Sequence, residues 1–229
     1  MTEREKIFAR IREALTVLAP VPGHHDTASH APASVAAPSA HAREWLPPTG
    51  DSFEDQLARF RAHSADLKTT FHFCNNREEM TKLLLELRDA EGWKKIASHR
   101  GELTDAAGKT LSLPTLSTDQ PFNVAELEAC DAGITECDAL VAQTGSVLVT
   151  NRSAGGRSLS VLPPHHVVLA RREQLVRDLP AAFELVKKKY APNYPSMISF
   201  VTGPSRTGDI ERILVLGAHG PKKLTVFCV

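Results

Sequence analysis

The sequence has no cysteine pair of the kind that holds a metal cluster. It contains four cysteines in 229 residues, and the closest two, Cys130 and Cys137, lie seven positions apart. Zinc ribbons and iron–sulfur sites need thiolates at shorter spacing, so that one loop can wrap the metal. The spacing therefore predicts reduced, mostly buried thiols, and it predicts that this chain itself holds no metal and no iron–sulfur cofactor.

The chain also lacks an excess of charge of either sign and a long apolar run. Its 27 lysines and arginines balance 27 aspartates and glutamates, which argues against a nucleic-acid partner. No segment approaches the ~18 consecutive apolar residues of a membrane span. Residues 1–15 are too charged for a signal peptide. With 42% hydrophobic residues, the composition predicts a soluble, cytoplasmic globular protein.

Three regions of the chain differ in composition. Residues 1–19 predict an amphipathic helix, because apolar residues recur at three- and four-residue steps behind a T-x-x-E capping box. Residues 20–50 are rich in Pro, Ala, Ser and His, which predicts a flexible linker whose scattered histidines are incidental. We expect residues 51–229 to form one folded domain.

Strand and helix patterns alternate within this domain. The second half is richer in strands, with apolar runs at 138–142 and 146–150 separated by a tight turn. The strongest helical pattern covers 172–190, with Pro180 expected to bend or offset its start. The alternation predicts an α/β sheet with helices on its faces.

Four glycine-containing loops follow or join apolar strands in this half. Glycine lets the backbone approach a ligand, while Ser, Thr and Arg add donors for phosphate or carboxylate. Because ligand crevices of open α/β sheets lie where such loops gather, we expect one shared anion site. The loops cover residues 144–146, 154–158 with Arg157, 202–207 with Arg206, and 217–221 with His219.

Several titratable side chains lie near these loops. Glu136 and Asp138 are two positions apart, which predicts one face of a strand, where a carboxylate serves as nucleophile, as base or simply as an edge charge. The adjacent His165 and His166 point to opposite strand faces, so only one can enter a site. His219 is the better acid–base candidate, with a histidine bonded to the backbone as the alternative. No nucleotide-binding or hydrolase motif accompanies them.

Three segments resemble a known family. The run TGPSRTGDIERILVLGAHGPKKLTVFCV at 202–229, and the segments at 134–149 and 162–176, are similar to motifs of the lactate utilization protein C family, the LUD domain. The resemblance implies a Rossmann-like α/β domain of the NagB/RpiA/CoA-transferase-like type, with an N-terminal helix on a flexible linker. It also implies one subunit of a three-protein system that oxidises L-lactate to pyruvate, in which the partner subunits hold the iron–sulfur clusters.

The family's shared positions supply the candidate site residues. Glu136 and His219 are the catalytic candidates. The ligand-binding candidates are Thr144, Gly145, Ser146, His165, Thr202, Gly203, Ser205, Arg206, Asp209, Gly217 and Gly220.

Three functions remain open at this point. The first is an accessory subunit that binds a small anionic ligand in the glycine loops. The second is an independent enzyme that acts on a phosphorylated or activated acyl substrate, with Glu136 as nucleophile or base. The third is a scaffold whose N-terminal helix docks onto another lactate-utilization subunit.

Overall fold

The computed structural model describes residues 5–10, 49–207, 215–216 and 220–229. The chain divides into two units, Met1–Trp45 and Leu46–Val229. In the first unit, residues 5–10 form a helix, α1. The rest of the predicted N-terminal helix lies outside the described residues, and so does the predicted linker up to position 48.

The second unit contains alternating helices and strands. In chain order they are α2 (Phe53–Asp66), β1 (Thr70–Phe73), α3 (Arg77–Glu91), β2 (Ile96–Ser98), α4 (Glu102–Leu111), β3 (Thr115–Ser117), α5 (Val124–Glu128), β4 (Ala132–Glu136), β5 (Ala139–Val141), β6 (Ser146–Thr150), β7 (His165–Ala170), β8 (Leu175–Val176), α6 (Leu179–Tyr190), β9 (Ile198–Val201), β10 (Arg206–Thr207), β11 (Val215–Leu216) and β12 (Lys223–Cys228).

Two main sheets are built from these strands. Six strands form a central sheet in the order β1-β12-β7-β4-β2-β3, and every neighbouring pair is parallel. A smaller sheet has the order β8-β5-β6-β9, in which β8 and β5 are parallel and the other two pairs are antiparallel. The mixed α/β class predicted from the sequence is confirmed.

The layers differ from the expected arrangement of helices on both faces of one sheet. Helices α3 and α4 cover one face of the central sheet through residues such as Leu84 and Leu103. The smaller sheet, together with Phe60 of α2, covers the other face. Helix α6 packs on the outer face of the smaller sheet. Strands β5 and β6 are buried at every position, so both of their faces need a covering layer.

The helix predicted over 172–190 is shorter than expected. A 3-10 turn at Arg172–Gln174 and strand β8 occupy its first part, and α6 begins only at Leu179. Pro180 fits the first turn of a helix but not its interior, and Asp178 caps that turn by accepting from the N–H of Ala181. The expected offset at Pro180 is therefore confirmed, and the upstream part of the prediction was wrong.

All four cysteines are free and buried, as predicted. Burial raises the pKa of Cys74 to about 11 and that of Cys228 to about 12. Within the described residues, no helix is long and apolar enough to cross a membrane. The same part of the chain contains no group of three or more His, Cys, Asp or Glu side chains placed to hold a metal ion.

Candidate functional site

The carboxyl ends of β2 and β4 lie side by side at the point where the strand order of the central sheet reverses. From β2 the chain continues outward to β3, whereas β4 leads towards β7 on the other side. In open α/β sheets, the crevice outside such a reversal is the usual place for a ligand. Residues 98–101 and Glu136 lie at this edge.

Glu136, the predicted catalytic carboxylate, is hydrogen-bonded through both oxygens. Its Oε1 accepts from the backbone N–H of Leu103 at 2.8 Å and of Thr104 at 3.5 Å, at the start of α4. Its Oε2 accepts from the Arg171 guanidinium at 3.2 Å. Gly101 leaves room for this arrangement, because a Cβ there would overlap Oε1. The carboxylate therefore supplies the helix cap that Gly101 cannot provide.

Charges of alternating sign extend from Glu136 along this edge. Arg171 also bonds the Oε2 of Glu102 at 2.8 Å, and Glu102 pairs with Arg77. Hydrogen bonds from Arg77 and Arg171 lower the pKa of Glu102. Since Glu102 is exposed, its ion pairs add little stability. Their effect is to hold Arg171 against Glu136.

His99 follows β2 and is held by the main chain. Its Nε2 accepts from the N–H of Glu136 at 3.1 Å, so the ring proton is on Nδ1, which donates to the Arg100 carbonyl at 2.9 Å. Both ring nitrogens are therefore bonded to backbone groups. His99 is a fixed part of the sheet edge.

The loop at 154–158 belongs to this same edge. A Cβ on Gly155 would overlap the side chain of His99, so the two pack closely. Arg157 donates to the carbonyl of Ser196. The structure therefore separates this loop from the other glycine loops, with which the sequence grouped it.

Three of the predicted ligand loops meet at the C-terminal end of α2. Thr144 Oγ1 donates to Ser146 Oγ at 2.8 Å, and Ser146 Oγ lies 2.7 Å from Thr202 Oγ1 across 56 positions of sequence. The N–H of Ser205 donates to the Pro221 carbonyl at 2.9 Å, which joins the loop at 202–207 to the loop that ends at 221. We refer to these loops as the loop cluster, comprising residues 144–146, 202–206 and 220–221.

The loop cluster closes around Leu67, the residue that ends α2. Gly145 and Gly203 have φ values of 66° and 94°, and a Cβ on either would press on the turn at His63 and Leu67. The guanidinium of Arg206 donates to the Leu67 carbonyl. A cation in this position is favoured by the helix dipole. Both glycines are therefore required by local geometry, and Arg206 already has a main-chain acceptor.

Four buried polar atoms at the end of α2 and before the first loop have no hydrogen-bond partner among the described residues. They are Nε2 of His63, Oγ of Ser64, Oγ1 of Thr69 and Oε1 of Gln143. His63 packs against Gly145, and Gln143 directly precedes the first loop. Buried polar groups are normally hydrogen-bonded, so these four are exceptions that the described contacts do not explain. They were not predictable from the sequence, because single polar residues on a helix or before a turn carry no spacing signal.

His165 and His166 lie at the start of β7, beside residues 222–223 that follow the loop cluster, and away from Glu136. His165 begins β7, at the opposite end of the central sheet from Glu136. Its Nε2 lies 2.8 Å from Thr225 Oγ1, and the Nε2 of His166 lies 2.9 Å from Thr135 Oγ1. Burial lowers the pKa of His165 to about 4 and that of His166 to about 3. Both are therefore neutral core histidines, and the His165 side chain bonds Thr225 rather than a described ligand-binding candidate.

Glu136 and Asp138 do not share a strand, contrary to expectation. Strand β4 ends at Glu136 and β5 begins at Ala139, so the chain passes from one sheet to the other between the two carboxylates. Asp138 Oδ1 accepts from Lys189 Nζ and from the Tyr190 hydroxyl, each at 2.6 Å. The prediction failed because two-residue alternation holds only within one continuous strand.

Asp209, Gly217 and His219 lie outside the described residues, and their predicted roles stay predictions. Gly220, which directly follows His219, is described. Gly220 packs against Ser205, where a Cβ would come within 3.3 Å of the serine Cβ. This contact places the end of the predicted His219 loop at the loop cluster.

Comparison with known proteins decides the family. A family model of the LUD domain matches residues 57–229. The chain belongs to the LUD domain family. This LUD domain is similar to a crystal structure of a DUF162 family protein from Deinococcus radiodurans, with a TM-score of 0.60 at 22% identity over 78% of this chain and 98% of that chain. That likeness shows a shared fold.

Curated relatives match the LUD domain over shorter stretches. Lactate utilization protein C from Deinococcus radiodurans is 32% identical over 121 residues, which is 52% of this chain and 56% of the relative. The protein of that name from Anoxybacillus flavithermus is 36% identical over 107 residues, 47% of each chain. The one from Bacillus subtilis is 32% identical over 109 residues, 47% of this chain and 45% of the relative. The chain thus spans about half the length of the curated relatives it matches.

Proposed function

We propose that this LUD domain takes part in lactate utilization, as an accessory subunit of a three-component system that oxidises L-lactate to pyruvate in the cytoplasm. The names of the curated relatives support the process. In this proposal the partner subunits hold the iron–sulfur clusters, and this chain contributes a binding site for a small anionic ligand.

The observation that carries the ligand site is the meeting of the loop cluster at the end of α2. Hydroxyl groups of Thr144, Ser146 and Thr202 are linked there, and Arg206 supplies a fixed positive charge. Hydroxyl donors beside a guanidinium suit a carboxylate or a phosphate group.

An independent enzyme of the NagB/RpiA/CoA-transferase-like type, with Glu136 as nucleophile or base, is less well supported. Both oxygens of Glu136 accept hydrogen bonds, from the start of α4 and from Arg171. A nucleophile in this position would have to give up those bonds before attack. The surroundings of Glu136 favour a role in positioning α4 over covalent chemistry.

The test is Arg206→Ala in the full chain, reconstituted with its partner subunits and assayed for lactate oxidation. Loss of a charge-assisted contact with the anion costs about 1.5–3 kcal/mol, so we expect roughly a tenfold or greater reduction in activity at limiting ligand. Thermal unfolding of the same variant reports on folding separately.

Arg157→Ala is the matched control, because Arg157 also donates to a main-chain carbonyl but lies outside the loop cluster. If the arginines act only by holding the backbone, the two variants will behave alike. Unchanged lactate oxidation by the folded Arg206→Ala protein would refute the placement of the ligand at the loop cluster.

A further inference from the structure

Strand β9 forms one edge of the smaller sheet, and two of its residues direct their backbone groups away from the sheet. Within the described residues, β9 pairs with β6 alone. Just before β9, the Met197 carbonyl accepts from the N–H of Asn151, which follows β6. Because backbone bonding alternates along an antiparallel pair, every second residue from Met197 bonds β6, and the N–H and C=O groups of Ile198 and Phe200 face outward. These groups are open to pairing with a further strand.

An apolar strip accompanies this free edge. Ile198 and Phe200 lie on the same face of β9, and Phe183 of α6 packs on Phe200 with the ring centroids 5.4 Å apart. Phe183 is nevertheless 55% exposed and Ile198 is 38% exposed. In the described part of the second unit, five large apolar side chains are exposed, and three of them lie on α6, on β9 or, as Tyr194, in the loop between them. We refer to Phe183, Ile198 and Phe200, with the outward backbone of β9, as the β9 edge.

Positive charge borders one end of the β9 edge. The last turn of α6 contains three exposed lysines at 187–189, and the exposed Arg152 lies over the Tyr190 ring that follows them, 5.5 Å from its centroid. Two carboxylates, Glu184 and the buried Asp138, pair with two of the lysines. Because the chain as a whole is neutral, this end of α6 holds a local excess of positive charge, which suits an acidic partner.

These three observations describe a surface for an extended peptide. A free strand edge supplies main-chain hydrogen bonds, and side chains beside it supply specificity. Exposed apolar edge strands are normally blunted by charge or covered, because they otherwise pair with other chains. Here the apolar residues Phe183 and Ile198 remain exposed at the edge, and the charges lie at one end of it.

We propose that the β9 edge binds an extended segment of one of the partner subunits, which adds a fifth strand to the smaller sheet. Alternate residues of this segment are apolar and pack on Phe183 and Ile198, and its aspartate or glutamate residues face the lysines at the end of α6. The inference rests on the proposed role of this chain as a subunit of a three-component system. Because β9 leads directly into Thr202, the added strand lies next to the loop cluster.

The experiment measures, by sedimentation velocity, how tightly the full chain binds its purified partner subunits. We expect Phe183→Ser and Ile198→Pro each to weaken the complex about tenfold or more. Proline at 198 removes an outward N–H but leaves the pairing with β6 intact, because Ser199 and Val201 make those bonds. Val124→Ser is the control for Phe183→Ser, since Val124 is also 55% exposed but lies on α5. Circular dichroism confirms that each variant is folded.

Charge reversal on α6 tests the acidic chemistry of the partner segment. Lys187→Glu should weaken the complex about three- to tenfold at low salt, and the loss should shrink as salt is raised. Lys82→Glu, on α3, is the matched control, because Lys82 Nζ lies 3.9 Å from a glutamate one turn away and Lys187 Nζ lies 4.0 Å from one. Equal effects of the two variants would overturn the acidic character of the segment.

Three further results would each refute the assignment. If the folded Phe183→Ser and Ile198→Pro proteins bind the partner subunits as tightly as wild type, the β9 edge is not the docking surface, and the proposed role in lactate utilization stands. If the wild-type chain alone sediments as a dimer that Ile198→Pro dissociates, a second copy of this chain occupies the edge. If the wild-type chain forms no complex with the partner subunits, the proposed subunit role is wrong and the docking surface falls with it.

Discussion

The two sheets hold their buried polar groups in different ways. The smaller sheet buries a charge: the Asp138 side chain has no exposed surface and accepts from Lys189 and Tyr190. The central sheet buries two uncharged rings, His165 and His166, each bonded to a threonine on a neighbouring strand. In both arrangements one buried atom of each side chain, Oδ2 of Asp138 and Nδ1 of either histidine, has no hydrogen-bond partner among the described residues, and the two arrangements respond to different changes.

The pKa values express this difference. Burial alone would raise the pKa of Asp138, but hydrogen bonds from Lys189 and Tyr190 outweigh it and hold the pKa below its usual value. Nothing comparable protects the histidines, whose pKa values burial lowers far below 6.5. The stability of the smaller sheet therefore depends on the hydrogen bonds that Asp138 accepts, and that of the central sheet depends on its two histidines staying neutral.

The largest expected effect is the loss of Asp138. Asp138→Ala removes the shared acceptor of the half-exposed Lys189 ammonium and the buried Tyr190 hydroxyl, and the loss of these two charge-assisted hydrogen bonds costs about 3 kcal/mol of unfolding free energy. Urea unfolding at pH 7 measures it. Asp138→Asn keeps an acceptor for Tyr190 and should lose less. A loss below about 1 kcal/mol in Asp138→Ala would show that the ion pair is not the anchor of the smaller sheet.

Acid should weaken the central sheet next. Above pH 6.5 both imidazoles are neutral in the folded and in the unfolded protein. Below pH 6.5 the histidines of the unfolded chain become protonated. In the folded core, His165 stays neutral until about pH 4 and His166 until about pH 3. The unfolding free energy should therefore fall by about 2 kcal/mol per histidine between pH 7 and pH 5. His166→Gln should remove about 2 kcal/mol of that difference, and an unchanged difference would contradict the neutral assignment.

The smallest effect is expected at Glu136, on the edge of the central sheet. Glu136→Gln keeps an oxygen for the N–H of Leu103 and loses the charge opposite Arg171, a partly exposed pair whose removal costs about 1 kcal/mol or less. Glu136→Ala also removes the helix cap, which adds about 1 kcal/mol. Urea unfolding of the two variants at pH 7 compares the free energy lost with the ion pair and the further free energy lost with the helix cap. Equal losses in both would assign the whole effect to the ion pair.

The fold was predictable where one residue type has one physical consequence. Pro180 fits only the first turn of a helix, so it marks the start of α6, although the predicted helix began at 172. Strand β4 was missed, because its alanine and glycine carry little strand signal and the next apolar run, at β5, continues in a different sheet. No periodicity marks the two residues, Cys137 and Asp138, at which the chain leaves the central sheet.

The candidate site was predictable in part. Gly145 and Gly203 stand out in the sequence as glycines in loops beside apolar strands. In the structure both have the positive φ that favours glycine, and their loops meet. The contact of the loop cluster with α2 was not foreseeable, because His63 and Leu67 join it through tertiary packing alone.

The contact between Arg206 and the Leu67 carbonyl uses one of the five N–H donors of the guanidinium. The proposed anion would therefore meet an arginine that is already held in place and still has other N–H groups to donate. Less side-chain entropy is lost when such a preorganised arginine binds than when a freely rotating one does. The end of α2 thus acts as a splint for the proposed site.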